Sequence, residues 1–248
     1  MIKVENISVC GFEAAIRGMR NPMNSWDKSD SHRCEGQLSE KCNDCGKLDA
    51  DGVCESDREF YCIGKNDMEL MQRLFKAGTE HRKYLRMIHV TMDITAPLYW
   101  WKEFDTYEVG TVTNSCSTMH TIMNRPFETS DFSFEHIPEE AQNEILDVLN
   151  DIRSTYGAFD QLKAEGALLK GYTKKDIWYC LIQLLPTSYN QHRTVDINYE
   201  TVFTIIQQRS YHKLDEWRTF VEILKNLPCV SQIGGFDEQS TTSGGKEE

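Results

Sequence analysis

With 248 residues, 40% hydrophobic and 27% charged, the chain has a soluble globular composition and room for one sizeable core or two small ones. A formal net charge of −12 excludes binding of long nucleic acid through its phosphates, although a few local cations would suffice for a mononucleotide. No apolar run approaches the roughly 20 residues of a membrane span. The start, MIKVENISV, lacks the basic-then-apolar block of a secretion signal. A cytoplasmic protein with no membrane partner is expected.

Residues 2–12 predict a first strand from the imperfect alternation of Ile2, Val4, Ile7 and Val9, and Phe12 to Met19 predict a short helix. From about Asn21 to Tyr61 the apolar content collapses, which reads as a surface insertion, residues 21–62. Five of the nine cysteines fall in it. Cys34, Cys42, Cys45 and Cys54 have the Cys-x2-Cys knuckle that lets two thiolates reach one zinc ion, and Gly46 eases the turn. With so little to bury, a structural zinc would substitute for a core. His32 or Cys62 could replace one ligand, and free thiols or redox chemistry are the alternatives. Four thiolates leave no open position for catalysis.

Asn66 is expected to cap a helix over Asp67–Ala77, which Gly78 stops. Leu85–Thr95 is the clearest strand, with Ile88, Val90, Met92 and Ile94 on one face and His89 and Asp93 on the solvated one. Pro97 starts an aromatic helix. The stretch Pro97–His120 then gathers ligand-holding chemistry. Trp100, Trp101, Phe104 and Tyr107 offer flat faces, Lys102 a cation, and Asn114, Ser115 and Ser117 hydrogen bonds. Cys116 is a candidate nucleophile and His120 a candidate acid or base. Thr111–His120, having no helical period, is expected to be a polar loop. An ordinary helix and a solvated loop is the alternative.

A helix is expected from Pro138 to about Arg153 and another over Lys175–Leu185, ended by Pro186. Thr187–Thr194 reads as a second polar loop, with Arg193 as anion contact. Tyr199, Val202, Phe203 and Ile206 give the next helix its apolar stripe. Asn198 and Arg209, about three turns apart, share one face. Leu214, Trp217, Val221 and Leu224 stripe the last helix, and residues 234–248 read as a disordered acidic tail.

Three features together resemble the flavin-dependent thymidylate synthases over Asp67–Pro228. They are a strand running into Ala96-Pro97 and an aromatic helix, Leu185-Pro186 before a polar stretch, and Asn198 lying 11 residues before Arg209. The resemblance implies an α+β fold, an antiparallel or mixed sheet flanked by helices, as a single domain over residues 1–233. It also implies a homotetramer holding FAD beside dUMP, and methylation of the pyrimidine from methylenetetrahydrofolate. Asn198 and Arg209 carry over as binding residues. The chain departs from the family where its Arg-His-Arg signature would fall, near Thr106, Tyr107 and Glu108; the later Ser falls at Cys116 or Ser117. Glu200 stands where the family has a second Arg, and Lys213-Leu214-Asp215-Glu216 replaces Ala-Gln-x-Glu. An enzyme on a nucleotide is the leading expectation. A binding module that has lost the flavin, and a zinc-stabilised platform for a protein partner, are the others.

Overall fold

The structure, a computed structural model, describes residues 2–34, 61–167 and 171–236. Cys42, Cys45, Cys54 and the tail from residue 237 lie outside them. The elements are β1 (Lys3–Cys10), α1 (Phe12–Arg20), β2 (His32–Arg33), β3 (Tyr61–Cys62), α2 (Lys65–Lys76), β4 (His89–Pro97), α3 (Leu98–Phe104), β5 (Thr111–Ser115) and α4 (Thr118–Thr121). There follow α5 (Glu139–Gly157), α6 (Phe159–Ala164), α7 (Lys174–Leu184), β6 (Asn190–Asn198), α8 (Tyr199–Arg209), α9 (Asp215–Lys225) and α10 (Val230–Gly234). Four strands form a sheet in the order β1-β4-β6-β5, and β2 and β3 form a separate antiparallel ribbon. This is the expected α+β class, strands and helices in one mixed fold.

The chain divides into two compact units. Unit 1 comprises Met1–Asn6, Met92–Glu108 and Thr113–Val195, and unit 2 comprises Ile7–Thr91, Val109–Val112 and Asp196–Glu248.

In unit 1, Asp93 pairs with Thr194 and Thr95 with His192, so residue numbers rise on β4 as they fall on β6 and the two strands are antiparallel. The inward register of β4 (Met92, Ile94, Ala96) is fully buried, as alternation requires. α3 buries Trp100, Trp101 and Phe104, packed ring against ring at 4.9–5.3 Å. A second core, Ile122, Phe127, Phe132, Phe134, Leu149 and Leu181, holds α5 against α7. α7 starts on a reciprocal cap between Thr173 and Asp176.

Two expected loops are strands here. Thr111–Ser115 is the edge strand β5, and Asn190–Thr194 opens β6. β-branched Thr and Val suit extended backbone, and β6 lies between β4 and β5 in the sheet. The alternation was hidden because Arg193 occupies an inward position where an apolar residue would be expected.

In unit 2, α8 packs on α9, and α2 on α10, around Met71, Ile197, Tyr199, Val202, Ile206, Trp217 and Leu224. Ile233 is buried in α10, which ends at Gly234, the first residue of the expected tail. α2 begins at Lys65, ahead of the expected Asn66 cap. Asp30, from a distant segment, takes the N–H groups of Asn66 and Asp67 at 2.9 and 3.1 Å. Gly64 permits that approach, since a Cβ there would lie 2.2 Å from the Asp30 carboxyl carbon.

Asp67 is fully buried and organises this corner. One oxygen accepts from Arg20 Nε at 2.6 Å; the other accepts from the Ser29 and Ser31 hydroxyls at 2.7 and 2.6 Å. Burial raises its pKa, but the hydrogen bonds from Ser31, Ser29 and Arg20 outweigh it and hold the carboxyl below the usual range. Asp67→Asn strands the buried Arg20 guanidinium and is expected to cost about 3 kcal/mol in urea unfolding. Because the folded pKa lies below the unfolded value of about 3.9, the stability is present above that value. It drains away as pH falls through the folded pKa. Wild-type chain should therefore lose stability below about pH 4 through this group, and Asp67→Asn should lack that component.

Candidate functional site

The best-defined polar constellation in unit 1 is built on Arg193. Strand alternation puts Gln191, Arg193 and Val195 on one face of β6, toward α3. The Arg193 guanidinium lies 4.1 Å from the ring centroid of Trp101. Its Nη1 donates to Asp105 Oδ1 at 2.6 Å and its Nε to Gln191 Oε1 at 2.9 Å. Its stem and head pack like a core residue, and a planar guanidinium can stack and fork at once where an ammonium cannot. With its side chain only 13% exposed, its charge is met from within the unit.

From Arg193 the network continues. Trp101 Nε1 donates to the Gln191 carbonyl at 2.9 Å. Gln191 Nε2 donates to the Cys116 carbonyl at 3.2 Å and to Thr118 Oγ1 at 3.3 Å, and Cys116 N–H donates to the His192 carbonyl at 3.0 Å. The turn after β5 is thus tied to the same anchor. Asn114, Ser115, Cys116 and Ser117 are all exposed along it, and His120 follows in α4, exposed, with its N–H on the Ser117 carbonyl. Lys102 is exposed on α3.

The expected aromatic platform is not available to a ligand. Trp100, Trp101 and Phe104 are core, and Tyr107, 8% exposed, packs 6.3 Å from Phe104. Nor is Arg193 an open anion contact, because Asp105 already holds it. Gln191 was missed by sequence reasoning. The alternation Gln191, Arg193, Val195, Ile197 could have found it, had Arg193 been read as a residue that packs.

In unit 2, Asn198 is 6% exposed and caps α8, its Oδ1 accepting from Thr201 N at 3.0 Å. Thr201 Oγ1 donates to the Val109 carbonyl at 3.1 Å. Between them sits Gly110, at φ +72°, where a Cβ would lie 2.0 Å from Asn198 Nδ2. Arg209 ends α8 with its guanidinium 4.6 Å from the Trp217 ring centroid. Asn198 and Arg209 therefore mark the two ends of one helix. Glu200, the charge reversal, is met by Arg82 at 3.0 Å. Arg82 also lies 5.0 Å from the Phe75 ring centroid, so the carboxylate has a partner in its own unit.

No family model matches the sequence, and no curated protein matches it. Solved structures do. A crystal structure of thymidylate synthase X (ThyX) from Helicobacter pylori with FAD and dUMP superposes with TM-score 0.58, covering 94% of this chain and 96% of that one at 15% identity. A second, of the flavin-dependent thymidylate synthase ThyX of the same organism with FAD and dUMP, gives 0.58, 93%, 95% and 16%. The fold is that of ThyX. At such identity the likeness carries the fold and not the chemistry, so each departure from the ThyX signature has to be judged by what its side chain touches here.

Among the described residues no group of three or more His, Cys, Asp or Glu is placed to hold a metal, and no helix is long and apolar enough to cross a membrane. Of the expected zinc ligands only Cys34 is described, half-buried beyond the β2–β3 ribbon.

Gly110→Ala forces a side chain into left-handed backbone and onto the Asn198 amide, and is expected to cost at least about 2 kcal/mol in thermal or urea unfolding. Arg193→Lys keeps the charge but loses the fork to Gln191 and the stacked plane; a loss of about 1 kcal/mol is expected by the same measurement.

Proposed function

We propose that the chain is a ThyX-like protein that binds a pyrimidine deoxynucleotide of the dUMP class. The observation that carries this reading is the nearly end-to-end likeness to ThyX structures holding FAD and dUMP. In unit 1 the candidates for hydrogen-bonding the ligand are Asn114, Ser115 and Ser117, with Lys102 as cation. Arg209 in unit 2, whose charge and planar face suit a phosphate or a base, is an independent candidate. Calorimetric titration with dUMP should give a saturable isotherm, and Lys102→Ala should weaken it about tenfold or more, the effect of losing a charge-assisted contact. No heat of binding from the wild-type chain would remove the reading.

The signature positions do not fit FAD in the family's manner. Where a diphosphate would need arginines the chain has exposed Thr106, buried Tyr107 and exposed Glu108, an anion of the wrong sign. No chemical step is therefore assigned to flavin here. Binding without methylation is the version these residues favour, and Arg193 held by Asp105 points the same way.

Methylation of dUMP from methylenetetrahydrofolate with FAD is the second reading. It is favoured by the exposed Cys116 thiol and His120 imidazole on one short segment. The absorption spectrum of the purified chain separates the two: bands near the usual ~450 nm of a bound flavin chromophore support the second reading. A colourless protein that takes up no added FAD supports the first. The four-copy assembly of the resemblance, and one zinc per chain in the cysteine segment, belong to the same proposal. Sedimentation and metal analysis read them directly.

A further inference from the structure

The Gln191 side chain links three residues, Arg193, Cys116 and Thr118. Its amide has one acceptor oxygen and a two-donor nitrogen. A guanidinium only donates, so the oxygen must face Arg193, where Oε1 lies 2.9 Å from Nε. That fixes the orientation of the amide. The NH2 group then points at the Cys116 carbonyl and Thr118 Oγ1, both able to accept, at 3.2 and 3.3 Å. The backbone of the same residue is held separately, its carbonyl accepting from Trp101 Nε1.

We propose that Gln191 is a positioning residue that fixes the Cys116–Thr118 turn, and with it the exposed end of β5, to the Arg193 anchor. That the turn faces a ligand rests on the nucleotide-binding reading above; that Gln191 holds the turn does not. Arg193 is itself clamped by Asp105 and Trp101, so the amide transmits a rigid position from α3 to the turn. Apart from Gln191, the Cys116 N–H bonds the His192 carbonyl, and the Ser117 and Thr118 carbonyls accept from the first turn of α4. Among the described residues Gln191 alone ties the turn to the Arg193 side chain, and the exposed side chains of Cys116 and Ser117 add no buried surface to restrain them. A glutamate at 191 could still accept from Arg193, but it would turn a carboxylate oxygen toward the Cys116 carbonyl, acceptor against acceptor. A methionine of similar length would lose both links.

The test compares the full wild-type chain with Gln191→Glu and Gln191→Met by peptide-resolved amide hydrogen exchange and by calorimetric titration with dUMP. Exchange over residues 116–118 should rise about threefold or more in both variants, the factor that losing one or two ordinary hydrogen bonds allows. Exchange in α5 should stay as in wild type. Near Arg193 it should rise in Gln191→Met and stay low in Gln191→Glu. Both variants should bind dUMP at least about threefold more weakly. Unchanged exchange at 116–118, or a uniform rise throughout unit 1, would overturn the proposal. A loosened turn in variants whose dUMP affinity equals wild type would overturn its link to the ligand. A loosened turn in a chain that never binds dUMP would leave Gln191 as the holder of the turn and remove the nucleotide reading instead.

Discussion

A guanidinium placed on the inward face of a strand has to be given an anion and acceptors, because leaving it unpaired beside an aromatic core costs several kcal/mol. In unit 1 that requirement is what joins separate segments. Arg193 draws Asp105 from the end of α3, lies on Trp101, and takes the Gln191 oxygen. The other end of Gln191 then determines where the chain goes after β5. Unit 2 follows the same rule with the sign reversed: a buried carboxylate, Asp67, draws Arg20 and the two serines around Asp30 to the start of α2. In both units a charge largely withdrawn from water fixes the path of polar segments that hydrophobic burial alone would leave unspecified.

Much of the architecture was legible from periodicity. The inward face of β4, the stripes of α8 and α9 and the stop at Pro186 all follow from apolar spacing and turn chemistry. The polar strands were not legible, because β5 and the start of β6 offer hydroxyls, amides and an arginine where a strand reader looks for alternating apolar residues. Arg193 counted as polar in the sequence and packs as apolar in the fold. The start of α2 was misplaced for a related reason. Its capping carboxylate, Asp30, comes from more than thirty residues away, beyond the reach of any local signal.

The candidate site was only partly legible. Asn114, Ser115, Cys116, Ser117 and His120 are exposed along one short segment, as their residue types suggested. The tryptophans and Phe104 went to the core, because a large aromatic on a short helix gains more from burial against a sheet than from waiting for a ligand. Asn198 went to a helix cap, a use that consumes its amide oxygen. Glu200, which stands where the resemblance has an arginine, is opposed by Arg82, so its carboxylate is paired within its own unit.

The exposed segment from Asn114 to Ser117 is the face proposed to meet a nucleotide. Alkylation of the intact chain, resolved by peptide mass spectrometry, asks this directly, because Cys116 sits within that segment and Cys10, also exposed, serves as an internal control. Saturating dUMP should slow alkylation at Cys116 about tenfold or more, as occlusion by a bound ligand does, and leave Cys10 unchanged. Equal rates at Cys116 with and without dUMP, in a chain that calorimetry shows to bind it, would contradict the account and move the nucleotide elsewhere.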